Sequence, residues 1–307
     1  MDKLKQTILI TGANGFLGQK LVEKLIDKSQ YCIVATSKSE NRNFIRKGYT
    51  YIPCDFTNMD ALQALLDEVQ PDKIIHTAAM SSVEACEKDP TLCEKVNIET
   101  VYQLGQYCAR HDKHLIHLST DFVFDGKEGP YKENDTTNPC NAYGASKVAS
   151  ETRLSSTTCR AAILRTILVY GINGDRNRSN LVLWAKKQLE DNNRINVVKD
   201  QWRMPTFVDD LANACILAIE KEATGIYHIS GDEMMSVLDA VYHIADFWQL
   251  DRSLINPIQA VDIGQENNRP RKTGFILDKA KTELGYTPTP FIVSLQEIER
   301  QFSLYKR

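Results

Sequence analysis

The chain has 307 residues, 42% of them hydrophobic and 25% charged, a balance that suits one large globular domain or a large domain with a smaller lobe. Its 37 basic and 40 acidic side chains leave a formal charge of −3, so no basic footprint points to nucleic acid. No run approaches the ~20 apolar residues of a membrane span, and Ile8-Leu9-Ile10 is too short for a signal-peptide core, so the expected location is the cytoplasm.

The chain begins with a β-rich run, Thr7 to Thr11. It leads directly into Gly12-Ala13-Asn14-Gly15-Phe16-Leu17-Gly18, after which Leu17, Leu21 and Leu25 share a helical face. Strand, glycine turn and helix form the context in which such glycines hold a dinucleotide. Gly12 permits the tight turn, Gly15 lets the backbone approach a pyrophosphate, and Gly18 lets the helix pack close to the sheet. The helix N-terminus offers N–H groups and a positive dipole end to the phosphates. The competing reading is an ordinary strand–helix turn that happens to contain glycine.

Tyr31 to Ala35 reads as a second strand. A dinucleotide fold often carries an acid at its end, bonding the adenosine ribose 2′-hydroxyl. Here Ser37-Lys38-Ser39-Glu40-Asn41-Arg42 follows, with the acid late and flanked by Lys38 and Arg42. That favours a 2′-phosphate, hence NADPH, with NADH as the alternative; the competing reading is a solvated basic turn. Tyr49 to Pro53 suggests a third strand ending at Asp55-Phe56. Met59 to Val69 is an amphipathic helix. Lys73 to Thr77 is a fourth strand, followed by Ala78-Ala79-Met80-Ser81. Pro90 to Arg110 has helical spacing and contains Asn97, and Leu115 to Ser119 is a fifth strand. Strands alternating with helices argue for an α/β fold with a doubly wound parallel sheet. Right-handed crossovers would bring Gly12, Asp55, Ala78 and Thr120 along one crevice.

Next comes Leu118 to Lys147. An apolar strand ends at Ser119-Thr120, a turn-rich loop follows, and a helix begins near Tyr143. Tyr143 and Lys147 are four apart and share one helical face. A phenol is a poor acid, with a free pKa near ~10. An ammonium one turn away favours the phenolate, so the pair is a usable proton donor and acceptor for a carbonyl/alcohol interconversion. Of the 12 tyrosines, only Tyr143 has lysine four residues later. Thr120 could add a hydroxyl to the substrate oxygen.

Beyond it, Ala161 to Tyr170 is expected as one strand, Leu181 to Leu189 as a helix, Ile195 to Val198 as a strand, Val208 to Glu220 as a helix, Gly225 to Ile229 as a strand and Ser236 to Trp248 as a helix. Asp200 to Thr206 and Asn268 to Arg271 are polar and aromatic, and could form a small lobe. His111, His114 and His117 look like a metal cluster, but their spacing puts His114 and His117 on opposite faces of a strand, so no metal is expected. The eight cysteines are Cys32, Cys54, Cys86, Cys93, Cys108, Cys140, Cys159 and Cys215. They are scattered without a Cys-x-x-Cys pair and read as reduced structural thiols.

The glycine turn, Asp55, Asn97, Ser119-Thr120 and Tyr143/Lys147 together resemble the extended short-chain dehydrogenase/reductase superfamily over essentially the whole chain. STDFVFDG (119–126), PCNAYGASK (139–147), LRTILVYG (164–171), RMPTFVDDLA (203–212) and GIYHISG (225–231) resemble the dTDP-4-dehydrorhamnose reductase family. They are also similar to the regulatory beta subunit of methionine adenosyltransferase, which keeps that fold. The resemblance implies a Rossmann-type domain over 1–170, with a strand and helix at about 207–230 returning to it. Residues 171–307 would form mainly a smaller substrate-binding lobe.

The resemblance further implies a catalytic triad of Thr120, Tyr143 and Lys147, with Tyr143 and Lys147 also at the cofactor, where Lys147 would bond the nicotinamide ribose. Gly12, Gly15 and Gly18 would hold the pyrophosphate, with Asn14, Phe16 and Leu17 also binding the cofactor; Asp55 and Phe56 would lie on the adenine side. Ala78, Ala79, Met80 and Asn97 would border the cofactor, with Ser37, Lys38 and Arg42 near the adenosine ribose. Ser81, Asp121, Phe122, Trp202, Arg203 and Arg269 would contact a nucleotide-sugar substrate. Arg203, Arg269 or Arg271 could clamp its diphosphate; surface ion pairing is the competing reading for each.

The leading expectation is NADPH-dependent reduction of a nucleotide-linked 4-keto deoxy sugar, with no membrane or nucleic-acid partner and a homodimer as an allowed assembly. A sugar-nucleotide epimerase or dehydratase is the second reading. Dehydratases of the superfamily usually carry acids beside the catalytic Thr, whereas here Phe122 follows Asp121. A regulatory subunit that binds NADP without turnover is the third.

Overall fold

The computed structural model describes residues 5–174 and 179–305. The chain divides into two compact units. The first comprises residues 1–120, 141–165 and 212–227; the second comprises 121–140, 166–211 and 228–307.

The first unit is built on a seven-stranded sheet. Its order across the sheet is Gly225–Ile229, Arg160–Thr166, His114–Thr120, Lys73–His76, Gln6–Thr11, Tyr31–Thr36, Thr50–Tyr51. Gln6–Thr11 pairs parallel with Tyr31–Thr36 and with Lys73–His76, and Lys73–His76 pairs parallel with His114–Thr120. A strand covered on both faces must be apolar throughout: Ile8, Leu9, Ile10, Ile74, Ile75, Leu115 and Ile116 are all fully buried. The register sets Thr11 opposite both Thr36 and His76, and His76 opposite His117. Parallel pairing therefore sends the segments after Thr11, Thr36, His76 and Thr120 off one edge of the sheet. Helices Phe16–Leu25, Met59–Val69, Thr100–His111 and Ala142–Ser155 supply the crossovers. Leu21 and Leu25 lose all exposure, each contributing about 1.5–3 kcal/mol of apolar burial.

The second unit has its own core, formed by Leu181–Glu190, Val237–Phe247 and Phe291–Leu304 around Tyr170, Phe207, Val241, Ile244, Leu295 and Ile298. Its strands are short pairs: Ile195–Val198 with Ile255–Ile258, Trp202–Arg203 with Met235–Ser236, and Val169–Tyr170 with Thr206–Phe207. Among the described residues no helix is long and apolar enough to cross a membrane.

Three expected elements come out differently. Only Thr50–Tyr51 of the run Tyr49 to Pro53 is regular strand, although the Ile52 and Cys54 N–H groups go on donating to the Ala35 and Ser37 carbonyls, with Pro53 between them. The expected strand Ala161 to Tyr170 stops at Thr166 and resumes at Val169. Between them Leu168 turns left-handed (φ 38°), and the Thr206 hydroxyl donates to the Ile167 carbonyl at 2.7 Å. The expected helix Pro90 to Arg110 is α-helical over Pro90–Glu94, opens into a wider π-helical turn at Lys95–Glu99, and continues as an α-helix from Thr100.

Candidate active site

The glycine turn is tight for a steric reason. Gly12 has φ +65°, and a Cβ there would lie 2.6 Å from the Ala78 nitrogen; a Cβ on Gly18 would lie 2.3 Å from the Gly12 oxygen. Both obstructions are backbone, so no side chain can swing aside. The helix that follows, Phe16–Leu25, has no side-chain cap and no acid in its first turn. Its leading N–H groups thus keep the field that favours a phosphate. Phe16 is half-buried and Leu17 is buried against the core.

Asn14 braces the neighbouring loop. Its Nδ2 donates to the Glu40 carbonyl (2.8 Å) and the Tyr51 hydroxyl (2.9 Å), and its Oδ1 accepts from the Arg42 N–H at 2.8 Å. Its own N–H donates to Ser37 Oγ at 3.0 Å. Ser37 is therefore fixed beside the glycine turn, while Arg42 is exposed. Lys38 is exposed too and pairs with Asp55 at 2.9 Å, an ammonium that holds the Asp55 carboxyl below its ordinary range. Asp55 also accepts from Thr57 N and Oγ1. Phe56 is buried next to it.

Asn97 is fully buried in the π-helical turn, a feature that concentrates at functional sites. It grips Met80 from both sides: Met80 N–H donates to Asn97 Oδ1 (2.8 Å), and Asn97 Nδ2 donates to the Met80 carbonyl (3.0 Å). The same Nδ2 donates to Ser146 Oγ at 2.9 Å, and Ser146 donates to the Tyr143 carbonyl at 2.7 Å. The segment 77–80 is thus tied to the helix that carries Tyr143. Ala78 is half-buried, while Ala79 and Ser81 are exposed.

That helix, Ala142–Ser155, starts where Asn141 Oδ1 accepts the Gly144 N–H at 2.8 Å. Tyr143 is half-buried and Lys147 is 2% exposed. Burial lowers the Lys147 pKa to about 8, and the Glu151 carboxylate opposes that fall. Lys147 is accordingly mostly ammonium at neutral pH and can lose its proton just above it. The helix is joined to the strand ending at Thr120 by His117 Nε2 to Ser150 Oγ (3.0 Å) and by Ser119 Oγ to Glu151. Thr120, 6% exposed, follows Ser119 directly. Thr120, Tyr143, Lys147 and Asn97 are therefore collected on one unit by a strand end, two helix faces and their cross-links. His114 bonds elsewhere, to the Ala223 carbonyl.

The second unit contains an open cavity of about 1160 Å³. Trp202, Arg269, Arg271, Asn138 and Cys140 line it, and Lys127 and Lys272 add charge, giving four cations against the carboxylates Asp125 and Glu266. Arg271 lies 5.7 Å from the Trp202 ring, and Arg269 5.8 Å from the Phe122 ring. Arg203 is turned inward instead. It is 4% exposed, and its guanidinium donates to the Trp202, Arg271 and Pro270 carbonyls. It faces Asp121 at 3.9 Å, and Asp121 accepts the Thr273 hydroxyl. Arg203 and Asp121 thus brace the cavity wall from behind.

Sequence reasoning did not single out Lys127, Asn138, Lys272, Ser146, Glu151 or Arg165. Ser146 and Glu151 carry a usable signal, since they lie three residues after Tyr143 and four after Lys147. Lys127 and Lys272 carry none, being ordinary surface lysines until the chain folds.

The chain matches the family described as RmlD substrate binding domain over residues 6–303. It is 31% identical over 303 residues to the dTDP-4-dehydrorhamnose reductase of Aggregatibacter actinomycetemcomitans, covering 95% of this chain and 97% of that protein. It is 30% identical over 308 residues to methionine adenosyltransferase 2 subunit beta of Xenopus tropicalis, covering 97% and 89%. A crystal structure of dTDP-4-dehydrorhamnose reductase from Bacillus anthracis str. Ames in complex with NADP superposes with a TM-score of 0.83 at 26% identity, covering 97% of this chain and 99% of that one.

Proposed function

The chain belongs to the RmlD substrate binding domain family, and on that footing we propose that it reduces a 4-keto group on a nucleotide-linked deoxy sugar with NADPH. The observation that carries this reading is Lys147, a buried cation one helical turn from Tyr143, on a helix fastened to the strand that ends at Thr120. Burying an ammonium is costly, and a helix has no structural need of one there.

In this reading the phenol of Tyr143 donates its proton to the keto oxygen as that oxygen gains charge. The Lys147 ammonium favours the phenolate left behind. The Thr120 hydroxyl donates a hydrogen bond to the same oxygen. Asn97 holds Met80 and, through Ser146, the first turn of the Tyr143 helix. When bound, the nicotinamide cofactor supplies the hydride. Gly12, Gly15 and Gly18 would hold its pyrophosphate, Ser37, Lys38 and Arg42 its adenosine ribose and 2′-phosphate, and Asp55 and Phe56 its adenine side. A relative at 26% identity crystallised with NADP supports NADPH over NADH.

Recognition of the nucleotide sugar falls to the second unit. Two phosphates match the positive balance of its cavity, and Trp202 offers a face to a base. Arg269 and Arg271 are the diphosphate donors in this reading, with Arg203 positioning the loop that carries them through the Pro270 and Arg271 carbonyls.

The test is NADPH oxidation by purified protein against a panel of nucleotide-linked 4-keto-6-deoxy sugars. Turnover with one of them, lost in Tyr143→Phe, is the expected result. The similarity to methionine adenosyltransferase 2 subunit beta supports a second reading, an NADP-binding regulatory subunit. NADPH binding without oxidation of any panel member, together with an altered rate of a partner synthetase, would favour that one.

A further inference from the structure

Next to the Tyr143/Lys147 pair lies a second charged group that the reduction itself does not call for. Glu151 is 6% exposed and Arg165 3% exposed. Arg165 Nε donates to Glu151 Oε1 at 3.0 Å and its Nη2 to Oε2 at 2.6 Å, a bidentate pair. Ser119 Oγ, 3% exposed, donates to Glu151 Oε1 as well. Well-packed apolar residues would serve stability as well as a buried pair of this kind, so stability alone does not explain it.

Position does. Glu151 lies one helical turn beyond Lys147, on the same face. Ser119 immediately precedes Thr120, and Arg165 is on the adjoining strand of the sheet. The charged and titratable groups facing Lys147 from the packed elements are Cys86 and Cys93 on the two short helices at 83–94, His76 and His117 on two strands, and Tyr143 and Glu151 one turn to either side on its own helix. Burial pushes the Cys86 thiol up to about 12 and the His76 imidazole down to about 3, and it lowers His117 well below its ordinary value. At neutral pH those three groups carry no charge. Glu151 is the carboxylate of the set.

We infer that Glu151 is a positioning residue for the proton-transfer pair: its carboxylate is the counter-charge of the Lys147 ammonium, and through Ser119 it fixes the strand end bearing Thr120 against the helix bearing Tyr143. Arg165 orients the carboxylate with two parallel donors, so that one oxygen also meets Ser119. This inference rests on the reductase reading for its catalytic meaning, but not for its test.

The test reads Lys147 directly. Full-length protein carrying 13C at the lysine ε-carbons is titrated by NMR, with the Lys147 signal assigned by its loss in Lys147→Met. Wild type should titrate near pH 8. Glu151→Gln keeps the shape and an acceptor oxygen but removes the charge, and should lower the Lys147 midpoint by about one unit or more. Because Glu151→Gln strands the Arg165 charge and risks misfolding, Glu151→Gln/Arg165→Met is made beside it and should move the midpoint in the same direction. Ser119→Ala breaks only the tether and should leave the midpoint within about 0.3 units, while lowering kcat about 3- to 10-fold. Where turnover exists, the alkaline limb of kcat/KM should shift with the NMR midpoint in the Glu151 variants. A Lys147 midpoint unmoved in a folded Glu151→Gln or double variant overturns the inference. A wild type that oxidises no NADPH overturns the reductase reading instead and leaves the titration to decide on Glu151.

Discussion

The proton-transfer cluster of the first unit and the cavity rim of the second hold their polar side chains in opposite ways. In the first unit, Asn97, Lys147, Thr120 and Glu151 are all no more than 6% exposed, and Asn97 and Glu151 each bond to several elements. In the second, Lys127, Arg271 and Lys272 stand exposed around an open cavity, and Arg269 is half-buried. Proton transfer needs groups held in one place in a low dielectric, because their charges act strongly there and need not reorganise. Recognition of a flexible, highly charged ligand needs donors in number, and long exposed side chains adapt to it at little structural cost. The contrast predicts a division of labour, with turnover set by the first unit and affinity for the sugar nucleotide by the second.

Tyr143→Phe tests the first half of that division most sharply. It removes the proton donor and should cut kcat by about 10²–10⁴-fold while NADPH affinity stays within about twofold of wild type. Stopped-flow turnover and a fluorescence titration of NADPH measure the two, and retained turnover would take Tyr143 out of the mechanism. Arg271→Met tests the other half. Losing one charge-assisted bond to a phosphate should raise KM for the nucleotide sugar about 10- to 100-fold, with kcat nearly unchanged. A fall in kcat comparable to that of Tyr143→Phe would mean the division does not exist.

Arg42→Ala asks whether the rule extends to the cofactor. Arg42 is exposed and its backbone is held by Asn14, so its removal should weaken NADPH binding about tenfold and leave NADH binding alone. An equal loss for both cofactors would place the guanidinium away from the 2′-phosphate. The remaining test concerns pH and stability rather than affinity. His76 and His117 are buried with their folded pKa values depressed, His76 to about 3, whereas an unfolded histidine titrates near ~6.5. Below that value the unfolded chain takes up protons that the folded one refuses. Their contribution to stability is thus fully present above about pH 6.5 and is lost as the pH falls below it, for His76 down to about 3 at about 1.4 kcal/mol per pH unit, with His117 adding in the same direction. Urea melts at pH 7, 6 and 5 should show the midpoint falling, and His76→Asn should flatten the slope. A midpoint independent of pH would show that these imidazoles charge without opening the fold.

Much of the first unit was legible in the sequence because its signals are local. The glycine turn, the helices Phe16–Leu25 and Met59–Val69 and the strands Lys73–His76 and His114–Thr120 follow from spacing within a few residues. What escaped depends on partners distant in the chain. The break after Thr166 needs the Thr206 hydroxyl. The inward turn of Arg203 needs the carbonyls of Pro270 and Arg271. The helices Val83–Lys88 and Phe291–Leu304 were also not anticipated: the first is too short for a clear period, and the second was missed although Pro288 and Pro290 directly before it mark a start. Lys147 itself was visible by spacing, but its depressed pKa was not, since burial is a property of the folded chain.

The wide turn at Lys95–Glu99 has a consequence for how this gene can change. There the Thr100 N–H reaches back five residues to the Lys95 carbonyl, one residue more than a regular helix allows. The helix therefore carries a dislocation, with Val101, Leu104 and Cys108 in phase with the core behind it and Asn97 sitting at the fault. A single-residue deletion within 95–99 would heal the fault into regular helix and leave both flanks in phase with the core. What it would remove is the wide turn from which Asn97 holds Met80 and Ser146. A segment that reads as an unremarkable amphipathic helix can thus lose a residue without losing its packing, and the loss would fall on the site instead.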